Sequence, residues 1–460
     1  MAAVTTLLFS SPSTPNALVA SRSFALTPTR SAGAALTRGL TVDRSPRTAR
    51  TTRRGFGEVA SVVNGRVTII ERTGAIHTLP IPGTAMDPAW SPNGRWLAFL
   101  VTPRPTQNSP LGARTTLWAA STTARTLRRL STPGESANTF EWDPQLPQTL
   151  AFSETTSKGS RTSLDTVDIS SLKKHTVLQV PFVTGFQWSP SGRSLAVGTV
   201  AYQRSNSQSR LLLVSDLGKS IRTLLHNTSS GYIPASWSPK HNELLYWTDP
   251  YFSSSIAADG LELSGLNLKS HKSWALGVTL TYSNWIAWSP SGNRVAVVVG
   301  GSRTEWDAAR HVELCQLAKT TCSPVALPPH LIGLDPTFTQ NGDLLLTAAP
   351  GAKPNQIAPS ALGHVSTPFG AKTVQAWYQS QALWSLPRGS SEPIKLVGGG
   401  AHSATAINFG IVYLQADSLW FHASNSSNAT LLQRHVGPPN PYRDTYYGYL
   451  NWRSQYTWHS

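Results

Sequence analysis

The sequence predicts an all-β chain folded as a β-propeller of four-stranded blades, and three observations predict it. A short phrase, Trp-Ser-Pro-x-Gly followed by an apolar run, returns along the chain at Trp90-Ser91-Pro92, Trp142-Asp143-Pro144, Trp188-Ser189-Pro190, Trp237-Ser238-Pro239 and Trp288-Ser289-Pro290. The tryptophans step by 52, 46, 49 and 51 residues. Each interval holds a further pair of strand-like segments, which makes four strands per repeat. Self-similarity at this period in strand-sized pieces is the signature of blades stacked around an axis.

From the N-terminus, residues 1–57 are rich in Ser, Thr, Ala and Arg, with eight arginines, no lysine and one acid, Asp43. That composition cannot offset the entropy of ordering, so the segment is expected to be a disordered leader or a targeting segment. An Arg-rich, acid-poor leader also has the character of an organellar transit peptide, and Arg53-Arg54 resembles a twin-arginine export signal that lacks the apolar stretch to follow it. Residues 58–63, 66–71 and 75–79 read as three strands, the first two joined by Asn64-Gly65, a strong hairpin signal. The five repeats follow. In each, the tryptophan ends one strand, proline presets φ, glycine accepts positive φ, and a run such as Leu195-Ala196-Val197 begins the next strand. A sixth, weaker copy has Phe338 in the tryptophan's place, and four short segments over 404–433 form a degenerate seventh. The three N-terminal strands need a fourth. The segment Tyr449-Leu450-Asn451-Trp452 is expected to supply it, closing a ring of eight blades, with seven as the alternative count.

The phrase, with Leu-Ala-Val or Leu-Ala-Phe after the turn, resembles the repeat of TolB-like β-propellers, which also occurs in the propeller domains of prolyl oligopeptidases. The resemblance runs strongly over residues 85–350 and more weakly to 433. It implies the fold and, through TolB, a cell-envelope setting. Two copies depart from it: Asp143 replaces the serine and Gln145-Leu146-Pro147 the glycine turn, while Lys240-His241-Asn242 stands in the fourth turn.

The formal net charge is +16, of which the leader carries +7. No run of 18 apolar residues is present, so no transmembrane helix is expected. Cys315 and Cys322 fall on the two arms of one expected hairpin. That placement fits a cross-strand disulfide and an oxidising compartment, with two packed thiols as the alternative.

No motif for chemistry emerges. The Gly-x-Ser-x-Gly elbow of the oligopeptidase hydrolase domain is missing, as are a phosphate loop, a His-Glu-x-x-His pair and an EF-hand loop. The long connections, at 101–114, 201–209, 248–259, 300–310 and 348–381, should share one face, where binding is expected. Candidate contacts there are Arg104, Tyr202, Arg204, Asp249, Tyr251, Phe252, Arg303, Glu305, Trp306, Trp377 and Tyr378. Tyr251, Phe252, Trp306, Trp377 and Tyr378 are the expected aromatic anchors.

The expectation is thus one ring over 58–460, acting as a non-catalytic protein-interaction or ligand-binding scaffold with no catalytic residues, metal or cofactor. It should be a monomer outside the cytoplasm (periplasmic, secreted or envelope-associated), with organellar or cytoplasmic placement as alternatives. Its partner would be an unidentified protein or small ligand on the long-loop face, and no nucleic acid. Two other readings stay open: a lyase- or glycosidase-type enzyme working in the central funnel, and a carbohydrate-binding propeller, suggested by the 16 tryptophans.

Overall fold

The computed structural model describes residues 58–459 apart from 104–113, 124–125, 157–158, 160, 202–206, 241, 251–259, 318–319, 353–370, 425, 427 and 444. The described strands form eight four-stranded antiparallel sheets arranged as a ring, an eight-bladed propeller. Blade 1 combines Glu58–Val63, Arg66–Ile70 and Ile76–Thr78 with the C-terminal Tyr456–His459. Blades 2 to 8 each run in chain order outward from an inner strand: Gly83–Trp90, Ser136–Trp142, Phe182–Trp188, Ser230–Trp237, Ile286–Trp288, Leu331–Phe338 and Ala401–Ile407.

The repeated phrase builds its turn from backbone and serine together. In blade 4, Ser189 N donates to Ser194 O at 2.8 Å and Gly192 N to Ser189 O at 2.9 Å. Ser189 Oγ accepts from Ser194 N at 3.2 Å. The same bonds recur at Ser91 and Ser289. Glycine is required twice over at Gly192. Its φ is +65°, and a Cβ there would lie 2.5 Å from Asp143 Oδ1 of blade 3. The irregular second copy also resolves: Asp143 Oδ1 accepts from Gln145 N and Leu146 N at 2.8 and 3.0 Å, an Asx turn in place of the glycine turn.

The repeat tryptophans join neighbouring blades. Trp90, Trp142 and Trp188 are buried, and Trp237 and Trp288 half-buried. The Trp142 indole donates to Ala89 O at 2.9 Å and the Trp237 indole to Gln187 O at 3.2 Å, each on the preceding blade. Apolar residues on facing sheets fill the spaces between blades, as Leu97, Phe99 and Val101 do beside Val62, Val67 and Ile69.

Both termini close the ring, but seven residues later than the sequence led us to expect. The fourth strand of blade 1 is Tyr456–His459, paired Glu58 to His459 and Ser61 to Tyr456. Trp458 holds the position of the repeat tryptophan, paired with Val59 as Trp188 is with Leu195. Tyr449–Trp452 instead belongs to a strap, residues 436–455, that crosses the long-loop face. Cys315 and Cys322 are direct cross-strand partners and form a disulfide, with Cα atoms 3.9 Å apart. Among the described residues one α-helix, α1 (Ala371–Gln379), lies in the long connection of blade 7. No helix among the described residues is long and apolar enough to cross a membrane. The leader lies outside the described residues.

Candidate functional site

The long-loop face over blades 6 to 8 is filled by its own side chains. The strap enters beside blade 1, where Gly437 N donates to Val62 O, and it returns as the closing strand. On the way Tyr449 stacks on Tyr282 with ring centroids 3.6 Å apart, and Trp452 packs against His402 and Tyr378. Gly448, at φ +92°, lets the backbone pass over Trp306, where a Cβ would lie 2.5 Å from the ring.

This junction corrects the expected anchors. Trp306, Trp377 and Tyr378 are 0, 3 and 2% exposed, because they are the core between the two long connections and the strap. Glu305 and Asp249 are buried as well. Arg303 is exposed and lies over the Tyr447 ring at 5.2 Å. Arg104, Tyr202, Arg204, Tyr251 and Phe252 lie outside the described residues. No pattern in the sequence distinguished these loop aromatics from exposed ones, since their burial depends on a strap about 70–145 residues further on.

Beneath the strap is a buried polar network with the elements of an active site. Asp335 accepts from Asn284 Nδ2 at 2.6 Å and from Ser403 Oγ at 2.7 Å. Arg453 donates to the carbonyls of Asp335, Pro336 and Ala404 at 2.8, 3.0 and 2.6 Å. Tyr378 Oη donates to Glu305 Oε2 at 3.0 Å, and burial holds Glu305 well above the usual carboxylate range. His402 Nδ1 is 3.2 Å from Ser403 Oγ. A nucleophilic triad places histidine between serine and acid. Here serine stands between them, and burial lowers His402 to about 4. His402, Ser403 and Asp335 are 0, 2 and 8% exposed, so the trio is a sealed structural joint. A second buried acid pair, Glu154 and Asp165, is bridged by Lys174. No group of three His, Cys, Asp or Glu side chains among the described residues could hold a metal ion.

The opposite face, made by the tryptophan turns and the turns between third and fourth strands, carries a cleft of about 410 Å³ across blades 5, 6 and 7. Three cations line it: Lys240 from the blade 5 turn, Arg294 from blade 6 and Arg388 from blade 7. No carboxylate is among its described lining residues. The nearby Asp343 is engaged, its Oδ1 accepting from Arg388 N at 2.8 Å. Arg294 is fixed in place. Its Nη2 donates to Gly342 O at 2.9 Å and its guanidinium lies 5.4 Å from the Phe338 ring centroid. Gly342 separates the two arginines: a Cβ at this residue would sit 3.4 Å from both Arg294 Nη2 and Arg388 Cδ. Three like charges on a rigid support, set against the single neighbouring carboxylate of Asp343, leave an excess of positive charge that attracts an anion. Sequence reasoning missed this cleft. Its cations come from three different repeats, on the face opposite the long connections where binding was expected.

No family model and no curated protein matches the chain. Solved structures do. The chain is similar to the β-propeller domain of the Trilobed protease from Pyrococcus furiosus at 10% identity and a TM-score of 0.42, over 76% of this chain and 95% of that one. It is similar to Porphyromonas gingivalis dipeptidyl peptidase 4 at 12% identity and 0.48, over 84% and 60% of the two chains. For TolB from Acinetobacter baumannii the values are 13% and 0.37, over 57% and 61%. The chain therefore spans less than two thirds of the latter two proteins. The likeness is one of fold alone, a β-propeller. The expectation of a non-catalytic scaffold finds no support in it, since most of the structures matched are of peptidases.

Proposed function

We propose that the protein binds an anionic ligand in the turn-face cleft between blades 5 and 7. The observation that carries this reading is the convergence of Lys240, Arg294 and Arg388 on one cleft whose described lining residues include no carboxylate. The rigid ring supports it, since each cation stands on a tight turn between paired strands, and a preorganised site loses little entropy on binding. The Cys315–Cys322 disulfide supports placement in an oxidising compartment outside the cytoplasm.

The test uses tripolyphosphate as probe and titration calorimetry on the full chain. Lys240→Gln with Arg388→Gln removes two charges from exposed positions. Affinity should fall by about tenfold or more, as expected for losing charge-assisted hydrogen bonds, with the thermal midpoint unchanged. Equal affinity in the variant and the parent would refute the reading.

A further inference from the structure

We infer that the ligand of this cleft is an anionic sugar, a polyhydroxylated molecule carrying carboxylate, sulfate or phosphate. The inference rests on the anion-binding reading above and is drawn from what else lines the cleft.

Between the cations stand three amide side chains, Asn293, Gln340 and Asn341, and two hydroxyls, Ser289 and Ser291. An amide offers a carbonyl acceptor as well as N–H donors, whereas Lys and Arg offer donors only. A bare phosphate chain, fully ionised, has only acceptors. It would satisfy the cations and leave the amide oxygens facing its own oxygens. A sugar hydroxyl donates and accepts, so it can use both ends of an amide while the acid group meets the cations.

The amides are partly oriented already. Asn293 Oδ1 accepts from Ser289 Oγ at 3.2 Å and from Ser291 Oγ, so its NH2 is the group left for a ligand. Gln340 Nε2 donates to Asn408 Oδ1 of blade 8, so its carbonyl oxygen is the end left as an acceptor. One donor and one acceptor are thereby set apart on neighbouring blades, flanking Arg294.

Other anions fit less well. No aromatic side chain is among the described residues that line the cleft, so a nucleotide base meets no ring to stack on there. Pro290 is the one apolar side chain among those described lining residues, which offer no surface for an acyl chain. A neutral sugar would lack both the ring platform and a partner for three positive charges. The volume of about 410 Å³ falls in the range of small-ligand sites.

The experiment measures affinity of the full chain for four probes: tetragalacturonate, a heparin tetrasaccharide, tripolyphosphate and neutral cellotetraose. The parent is compared with the Gln340→Ala, Asn341→Ala double variant and with Asn341→Ala alone, each checked for an unchanged thermal midpoint. The amide variants should lose about tenfold for at least one charged sugar, the scale of one or two hydrogen bonds. They should hold tripolyphosphate within about twofold, since its contacts are to the cations. The charged sugar that is bound more tightly then identifies the acid group. Binding of tripolyphosphate without either charged sugar would overturn the sugar inference and leave the anion reading standing. Binding of none of the four would overturn both. Equal loss for sugar and tripolyphosphate, or cellotetraose binding as tightly as the charged sugars, would also overturn it.

Discussion

The indole Nε1 of Trp288 in blade 6 donates to Ser236 Oγ in blade 5, 2.9 Å away. Trp142 and Trp237 make the corresponding reach to a backbone carbonyl of the blade before them. In these three blades the repeat tryptophan therefore does two jobs. Its ring fills the space between sheets, and its one polar atom fastens the inner strands around the axis, whereas Trp90 and Trp188 fill the same space without an indole hydrogen bond. Trp288→Phe should keep most of the packing and lose the fastening. We expect a loss of about 1 kcal/mol in denaturant unfolding, against roughly 3–5 kcal/mol for Trp188→Ala, which empties a buried site. An unchanged stability for Trp288→Phe would show that the hydrogen bond contributes nothing.

Ring closure depends on four C-terminal residues. Tyr456 Oη donates to Ser403 O at 2.6 Å and Trp458 stacks beside Phe421, so the closing strand anchors in blade 8 as well as in blade 1. Deleting 456–460 should open a sheet edge and lower stability by at least about 3 kcal/mol, the scale of one lost buried aromatic. An unchanged melting temperature would contradict this closure.

Much of this fold was legible in the sequence because it rests on local rules. The Ser-Pro-x-Gly turn at 189–192 needs only its own residues, and Asn64-Gly65 needs only its hairpin. What could not be read depends on distant partners. Tyr449–Trp452 resembles the first strand of a blade, and only the pairing of Tyr456–His459 with Glu58–Ser61 shows which segment closes the ring. Trp306 and Trp377 looked like surface aromatics because the strap that covers them is remote in the chain. The cleft was hidden for the same reason: Lys240, Arg294 and Arg388 become neighbours only when three blades are stacked side by side.

Glu141 gives a pH dependence. Its Oε2 accepts from Trp188 N at 2.7 Å, and burial pushes its carboxyl up to about 8. The folded protein thus keeps a proton that the unfolded chain releases near the ordinary carboxylate value. Stability contributed by this group is present at acid pH and falls as pH rises towards 8. Glu141→Gln keeps a carbonyl acceptor for Trp188 and removes the titration. Its stability relative to the parent should rise between about pH 5 and 8, by on the order of 1 kcal/mol or more. Parallel pH profiles for the two proteins would rule out this role.

The Cys315–Cys322 bridge closes a short loop at the outer edge of blade 6. Reduction should cost about 2 kcal/mol, since a short loop removes little entropy from the unfolded chain. Intact mass before and after reduction, on protein purified from its native compartment with thiols blocked, should differ by two hydrogens. Two freely alkylated thiols would remove the argument for an oxidising compartment.

The central claim is that an anion sits among Lys240, Arg294 and Arg388, and a crystal structure of the protein soaked with tripolyphosphate tests it most directly. The account predicts phosphate oxygens within about 2.7–3.2 Å of the Arg294 and Arg388 guanidinium groups, with the strap and the long-loop face unchanged. Density for the probe on the long-loop face, with the turn-face cleft holding none, would contradict it.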